Sequence, residues 1–473
     1  MIDIIFIFCM IIICLFFKLY SICTALMIIF AFYIINQKKD IDYIREESFQ
    51  PDNKIHDFTY YTDIQDSYKT LVRMIQQATS RIYYSAFAAN MTTPFYEQHT
   101  LQSLLNEAAS RGVYIHIFYN TTAEYTNQTI SELQSILDPS IHITTITAEK
   151  QLPKSLQSIL HQKAYSYNHQ KFLVCDDTIL FGGTDIDPWE RKGYNTLNKN
   201  NFYWHEVSLA YNISNDFITW IHQFKNSKKR QIKDLPPPPK PYVNRKSEID
   251  TMLYMIQHSN DIIYVEHQLF GLTKFSQLYS KAIVQAFATR LKNACELSQN
   301  LDIYFITNVS QDDEYNFFAK QFSSNTLILT ICHILQLIPR KYKQQAKQKL
   351  HIYTLARNNK NIKVHSNVFI TDDNDKQYHL IRTSSNLSDR SFGKQPCDIE
   401  LGVYVSGPNV KNLLDTLIQL HTNGNDHIKE TGQLHKINIT CDAELVRSNI
   451  MMLTQTHPAS GYCNHNMNIQ TIQ

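Results

Sequence analysis

The nine cysteines of this 473-residue chain form no C-x-x-C pair and follow no metal-ligand spacing, so they give no sign of a zinc site or a dithiol redox centre. Cys9, Cys14 and Cys23 fall in an apolar N-terminus, and the other six leave the redox compartment open. Excess charge of either sign is also missing. Lysine and arginine total 45 against 43 aspartates and glutamates, a formal net charge of +2. A chain so near neutrality is not a whole-surface polyanion binder, and any affinity for nucleic acid has to come from a local patch. The length suffices for two domains of ordinary size, each with a substantial core.

Apolar length is abundant at the N-terminus. From Ile4 to Phe17 and from Leu19 to Ile35 the chain is almost wholly apolar, broken mainly by Lys18. One helix through both runs would be about 48 Å long at about 1.5 Å per residue, against a hydrocarbon core of about 30 Å. Either the second run spans while the first lies in the interface, or the two form a hairpin turning near Lys18. The runs are too long for a signal-peptide core and no small-x-small cleavage site follows, so residues 1–40 are expected to be a membrane anchor. Lys38 and Lys39 favour a cytoplasmic catalytic part, although Asp40 and Asp42 follow closely. Sequons at Asn90, Asn120, Asn127, Asn212 and Asn438 would suit a lumenal domain, but in so asparagine-rich a chain they are read as accidental.

The most informative segment is Asn168-His169-Gln170-Lys171-Phe172-Leu173-Val174-Cys175-Asp176, because it has an altered second copy, Lys363-Val364-His365-Ser366-Asn367-Val368-Phe369-Ile370-Thr371-Asp372. The copies match as H-x-K-x-x-x-x-D and H-x-N-x-x-x-x-D. Period-two spacing aims His169 and Lys171 at one face of a strand, and likewise His365 and Asn367. Two such strands facing each other bring two imidazoles and a lysine into one pocket. Those groups suit a phosphodiester: one histidine attacks phosphorus, the other protonates the leaving oxygen, and cations steady the non-bridging oxygens, with no metal or cofactor required.

Here the chain resembles the phospholipase D superfamily, whose site pairs two such motifs from the two halves of one polypeptide. Phe181-Gly182-Gly183-Thr184-Asp185-Ile186 and Trp204-His205-Glu206 are similar to its G-G-x-D and W-H-D segments. Tyr264-Val265-Glu266-His267-Gln268-Leu269-Phe270 is similar to Y-I-E-N-Q-F-F, and Thr383-Ser384-Ser385-Asn386-Leu387-Ser388-Asp389-Arg390-Ser391 to G-S-A-N-I-N-D-R-S, followed by Asp398-Ile399-Glu400-Leu401. The match runs from about residue 60 to about residue 425. It implies that His169 is the nucleophile, forming a phosphohistidine, and that His365 is the acid for the leaving group and then the base. Lys171 would hold a phosphate oxygen, and Glu206 and Glu400 would orient the histidines. Asn367, Gly183, Asp185, Ser384 and Asn386 match positions that line the phosphate pocket. Asp176 and Asp372 are expected to hold the motif loop, and Trp204 and Phe270 to pack. His161, His205 and His267 receive no catalytic role.

Asn367 is the departure, since it stands where the second lysine belongs. A neutral amide makes a bond roughly half as strong as a charge-assisted one, and losing one such contact costs on the order of a hundredfold in rate. Arg382, where the family pattern is apolar, is a candidate to compensate by clamping phosphate from the strand face of Ser384 and Asn386.

Helical patterns over Tyr68–Ala78 and Leu101–Arg111 precede strand patterns over Arg81–Phe87 and Val113–Tyr119. The second half repeats the order, with helices over Ile249–His258 and Lys281–Leu297 and strands over Asp261–Gln268 and Leu301–Thr307. The expectation is two similar α/β halves with pseudo-two-fold packing. The organisation reads as a membrane segment (1–40), a first domain (41–233), a proline-rich linker (234–244), a second domain (245–425) and a polar tail (426–473). Three functions compete. The first is a membrane-anchored phospholipase D acting on glycerophospholipids at the bilayer, by hydrolysis or transfer to an alcohol. The second is an anchored nuclease of the same superfamily, and the third is a noncatalytic member disabled by Asn367.

Overall fold

The chain divides into two compact units, residues 1–50 and 51–473. The computed structural model describes residues 55–120, 128–148, 168–186, 203–226, 235–268, 270, 279–307, 324–357, 360–387, 389–392, 398–422, 433–436 and 467–472. The expected membrane segment lies outside them; among the described residues no helix is long and apolar enough to cross a membrane.

In the first half, β1 (Thr59–Tyr61) leads to α1 (Ile64–Gln77), β2 (Arg81–Ser85), α2 (Leu101–Ser110), β3 (Tyr114–Asn120), α3 (Ile130–Ile136) and β4 (His142–Ala148). Then come β5 (Phe172–Cys175), β6 (Thr178–Phe181), β7 (Tyr203–His205), β8 (Ser208–Asn212) and α4 (Asn215–Lys225). The second half contains β9 (Tyr242–Val243), α5 (Arg245–His258), β10 (Ile262–Glu266), α6 (Tyr279–Glu296), β11 (Asp302–Thr307), α7 (Ser324–Leu337), α8 (Lys343–Gln348), β12 (Leu350–Arg357) and β13 (Lys360–Val364). It closes with β14 (Val368–Asp372), β15 (Tyr378–Thr383), α9 (Asp389–Phe392), β16 (Gly402–Ser406), α10 (Pro408–Thr422), β17 (Gln433–Lys436) and β18 (Met467–Ile472).

Local chemistry sets the helix starts. Asp63 accepts from Gln65 N at 2.6 Å to cap α1, and Thr100 and Thr129 each form a capping box, the latter with Glu132. The central strands are apolar on both faces because helices or the other half cover them: Ile82, Tyr83 and Tyr84 in β2 and Ile263, Tyr264 and Val265 in β10 are all buried. Burying one such side chain is worth roughly 1.5–3 kcal/mol.

The duplication is explicit in the strand order. The first sheet runs β1-β8-β6-β5-β2-β3-β4-β18 and the second β7-β13-β12-β11-β10-β14-β15-β16-β9, with β17 added beside β12. Within them β6-β5-β2-β3-β4 repeats as β15-β14-β10-β11-β12, the last three of each parallel. The two motif aspartates do equivalent work at the start of the central strand. Asp176 accepts from the backbone of Thr79, Ser80 and Arg81, and Asp372 from that of Asn260, Asp261 and Ile262. Burial alone would raise the Asp176 carboxyl, but hydrogen bonds from Ser80, Thr79 and Arg81 hold it well below its usual range.

Three features add to the sequence reading. The tail is not simply polar overhang, since β17 and β18 pair antiparallel with β12 and β4; the alternation Met467-Asn468-Ile469-Gln470 gives β18 a strand period that its polar setting hides. β7, from the first half, pairs parallel with β13 of the second. The linker is tied down as well, with Trp220 Nε1 donating to Pro236 O at 2.9 Å. Asn120, one of the sequon asparagines, is fully buried at the end of β3.

Candidate active site

The two candidate motifs lie at strand entrances rather than within strands. His169 and Lys171 precede β5, and His365 and Asn367 occupy the turn between β13 and β14. Anchoring replaces the strand ladder there. Asn120 Oδ1 accepts from Asn168 N at 2.7 Å, its Nδ2 donates to Asn168 O at 2.8 Å, and Asn168 Nδ2 reaches Ser85 Oγ at 2.8 Å.

Each motif is also bonded to the opposite half. His169 N donates to Ile399 O at 2.9 Å, and His365 N donates to His205 O at 2.8 Å. These backbone bonds carry the next residue, Glu400 or Glu206, under the facing imidazole. His169 Nδ1 lies 3.0 Å from Glu400 Oε2 and His365 Nδ1 lies 2.7 Å from Glu206 Oε2. The histidine–carboxylate pairs are therefore exchanged between halves. A carboxylate at Nδ1 fixes the tautomer and orientation of the ring.

All four groups are buried: His169 is 8% exposed, His365 7%, Glu400 5% and Glu206 1%. Burial works against the Glu400 charge, but His169, Ser384 and Lys171 overcome it and hold the carboxyl below its usual range. Ser384 Oγ donates to Glu400 Oε2 at 2.6 Å and Ser391 Oγ to Oε1 at 2.7 Å. Ser384 thus holds the carboxylate, a role different from the phosphate contact expected of it. Burial raises the Glu206 carboxyl above its usual range, opposed first by Arg382 and then by Lys171 and His205.

Lys171 is 2% exposed, and its Nζ lies 3.6 Å from Asp185 Oδ2 and 3.3 Å from His169 O. The same Asp185 oxygen lies 3.9 Å from His365 Nε2, so Lys171, Asp185 and His365 Nε2 are brought together. Asp185 Oδ1 accepts from Phe87 N at 2.8 Å and Ala88 N at 3.2 Å. Gly183 turns the loop with φ +59°, and a Cβ there would stand 2.4 Å from Ser208 Oγ. The loop needs a glycine at this point.

Across the pocket, Asn367 has a left-handed backbone, φ 43°, and both ends of its amide are engaged: Oδ1 accepts from Gln268 N at 3.0 Å and Nδ2 donates to Ser384 O at 3.3 Å. Asn386, matching Asp185, has a buried Oδ1 without a hydrogen-bond partner among the described residues. Arg382 is 1% exposed and turned toward Glu206. Its Nη2 lies 2.5 Å from Glu206 Oε1, Nε donates to Val207 O at 2.6 Å, and Nη1 donates to Thr383 O. The side chain expected to clamp phosphate has its guanidinium bound to protein groups instead.

The solved structures include folds of this kind. A phosphatidylserine synthase from Haemophilus influenzae Rd KW20 superposes with a TM-score of 0.53 at 11% identity, over 89% of this chain and 97% of that one. The chain shares that fold. A yeast tyrosyl-DNA phosphodiesterase variant matches at a TM-score of 0.40 and 10% identity, over 74% of this chain and 90% of that one. No family model matches the chain, and no curated protein is similar to it in sequence.

Behind His365 lies a cluster that the sequence reading passed over. His205, Glu266 and His421 are all buried, with their donor atoms within 4.8 Å of one another. Such a donor set suits zinc, but Glu266 already receives the hydroxyls of Tyr264, at 2.5 Å, and Ser366, and His421 Nε2 at 3.2 Å. His205 Nε2 is 2.8 Å from Glu266 Oε1, close in distance but off the hydrogen-bond direction. Burial would neutralise both partners, yet each opposes that in the other: Glu266 is held well below its usual range, and His205 above its own. The cluster therefore works as a charged strut joining β7, β10 and α10. His205 and Glu266 stand in the W-H-x and Y-x-E segments, whereas no sequence motif marks His421.

Glu248, on α5, accepts from Ser385 Oγ at 2.7 Å behind the pocket, and burial pushes its carboxyl from 4.5 up to about 8. The folded state then keeps a proton that the unfolded chain releases. The resulting stabilisation is full below the unfolded pKa and is lost as pH rises through about 8. Glu248→Gln is expected to melt a few degrees above the parent at about pH 8 and level with it at about pH 4. Equal melting of the two proteins across this range would refute the assignment.

Proposed function

We propose that the chain is a membrane-anchored phospholipase D-type phosphodiesterase that moves the phosphatidyl group of a glycerophospholipid to water or an alcohol through a phosphohistidine at His169. The observation that carries this reading is the exchanged pair of contacts, His169 with Glu400 and His365 with Glu206. Two imidazoles, each fixed at Nδ1, present Nε2 for chemistry beside one buried lysine.

In the first step the His169 Nε2 lone pair attacks phosphorus and the bond from phosphorus to the headgroup oxygen breaks. His365, protonated, gives its Nε2 proton to that oxygen. In the second step neutral His365 takes a proton from water or an alcohol, the new oxygen–phosphorus bond forms and the nitrogen–phosphorus bond breaks. Both histidines then return to their starting states. Lys171 stabilises charge on the non-bridging oxygens, and Asp185 holds it in place.

The lipid reading draws support from the near-neutral composition, the apolar N-terminal runs and the fold shared with an enzyme titled a phosphatidylserine synthase. The test is headgroup release from mixed phospholipid vesicles containing a primary alcohol, by the full chain and its His169→Ala variant. Release with phosphatidyl-alcohol formation, absent in the variant, is the expected result. Folded protein that releases nothing, but cleaves single-stranded DNA or RNA, would replace the lipid reading with the nuclease one. Inactivity on both substrates would favour a noncatalytic protein.

A further inference from the structure

Position 367 lacks the lysine that the first half keeps as Lys171, and position 382 carries an arginine where the first half has Phe181. The two changes are neighbours. Arg382 is the ladder partner of Val368, and Thr383 N donates to Asn367 O at 3.2 Å. In the first half Lys171 stands 3.6 Å from Asp185, whereas Asn386, the match to Asp185, has no partner for its buried Oδ1 among the described residues. The left-handed backbone at Asn367 suits asparagine far better than lysine. A lysine returned to this position would be strained.

Arg382 does not fill the gap by reaching for substrate. Its Nη2 sits 2.5 Å from Glu206 Oε1, while the other oxygen of that carboxylate is 2.7 Å from His365 Nδ1. The first half accommodates it through Gly182, where a Cβ would stand 2.6 Å from Nη2. We propose that Arg382 is a positioning residue through which the site recovers, on the carboxylate beneath His365, the positive charge it lost at position 367. The inference rests on the phosphohistidine reading. Lys171 remains the direct phosphate cation, and Arg382 fixes Glu206 and opposes its neutralisation by burial, so that Glu206 holds His365.

The groups facing Glu206 are Arg382, His365, Lys171, the adjacent His205 and the Val207 amide at 3.1 Å. Of the charges opposing its burial, Arg382 is the largest. With a neutral side chain at 382 the largest charge opposing burial is gone, the Glu206 carboxyl, already raised by burial, rises further, and His365 is left with a partner that protonates more readily.

The experiment compares Arg382→Met, Arg382→Lys, Glu206→Gln and the double variant Arg382→Met/Glu206→Gln as full chains, with kcat and KM measured across pH. Arg382→Met is expected to lose about a hundredfold in kcat with KM nearly unchanged, and its acid limb should move up by about one pH unit. Arg382→Lys should recover most of the loss. The double variant should be no slower than Glu206→Gln alone, because the arginine has nothing left to act through. A rise in KM, or losses that multiply in the double variant, would mean that Arg382 binds phosphate itself and would overturn the proposal. Arg382→Met leaves a buried carboxylate uncompensated and is at risk of unfolding. The double variant removes both charges, so its comparison with Glu206→Gln still decides. If the wild type releases no headgroup, the phosphohistidine reading fails separately. A carbon-13 carboxyl titration of Glu206, assigned against Glu206→Gln, then settles the charge coupling: an upward shift on removing the arginine supports it, and an unchanged titration refutes it.

Discussion

With His365 replaced by asparagine, the protein is expected on the proposed function to react once and stop. The two histidines have separable duties only if the leaving group needs no acid, so the informative substrate is a phosphatidyl ester of p-nitrophenol, whose oxygen departs without a proton. His169, still backed by Glu400 at 3.0 Å, attacks and releases about one nitrophenolate per chain in a burst. Water then has no base to activate it, and steady turnover should fall by about 10³-fold, within the range for a lost general acid–base. The stalled protein should carry a phosphatidyl adduct on the peptide containing His169. His169→Ala should show neither burst nor adduct. A burst that survives in His169→Ala, or an adduct on another residue, would remove His169 from the nucleophile's place. Retained turnover in His365→Asn would remove His365 from its own.

Much of the fold was legible because its signals are local. The eight helix and strand patterns read along the two halves correspond to α1, β2, α2, β3, α5, β10, α6 and β11, with ends shifted by a few residues. Periodicity reports burial, and these elements bury one face or both. What stayed hidden depends on contacts across the chain. Glu206 and Glu400 are expected from the resemblance to orient the histidines, but nothing in their spacing says which histidine each faces. That depends on β7 leaving its own half to pair with β13, and on the Asn168–Ile399 bridge. Arg382 was noticed for its oddity and aimed by strand alternation at the pocket. Alternation gives a face, whereas the target of a long flexible side chain depends on which carboxylate lies within reach. The His205, Glu266 and His421 strut unites residues more than 200 positions apart in the chain, and no periodicity could have joined them.

The exchange of carboxylates between halves predicts which step each one damages. Glu400→Gln should impair the nucleophile, and Glu206→Gln the acid–base, even though each carboxylate lies in the opposite half from the histidine it serves. An amide in place of the carboxylate keeps the volume but offers the imidazole a neutral partner and permits the wrong tautomer, a change that costs on the order of 10³- to 10⁴-fold in comparable triads. With the p-nitrophenyl ester, Glu400→Gln is expected to slow the burst itself by about 10³-fold. Glu206→Gln should leave the burst nearly intact and slow the turnover that follows. Pairing within each half would give the reverse pattern, with Glu206→Gln abolishing the burst. Rapid-mixing measurement of burst rate against steady rate separates the two arrangements. The outcome bears on stability as well, because the bonds that deliver each carboxylate, His169 N to Ile399 O and His365 N to His205 O, also join the halves. If the halves separated, neither histidine would retain its carboxylate, so the proposed catalysis and the packing of the halves depend on the same contacts.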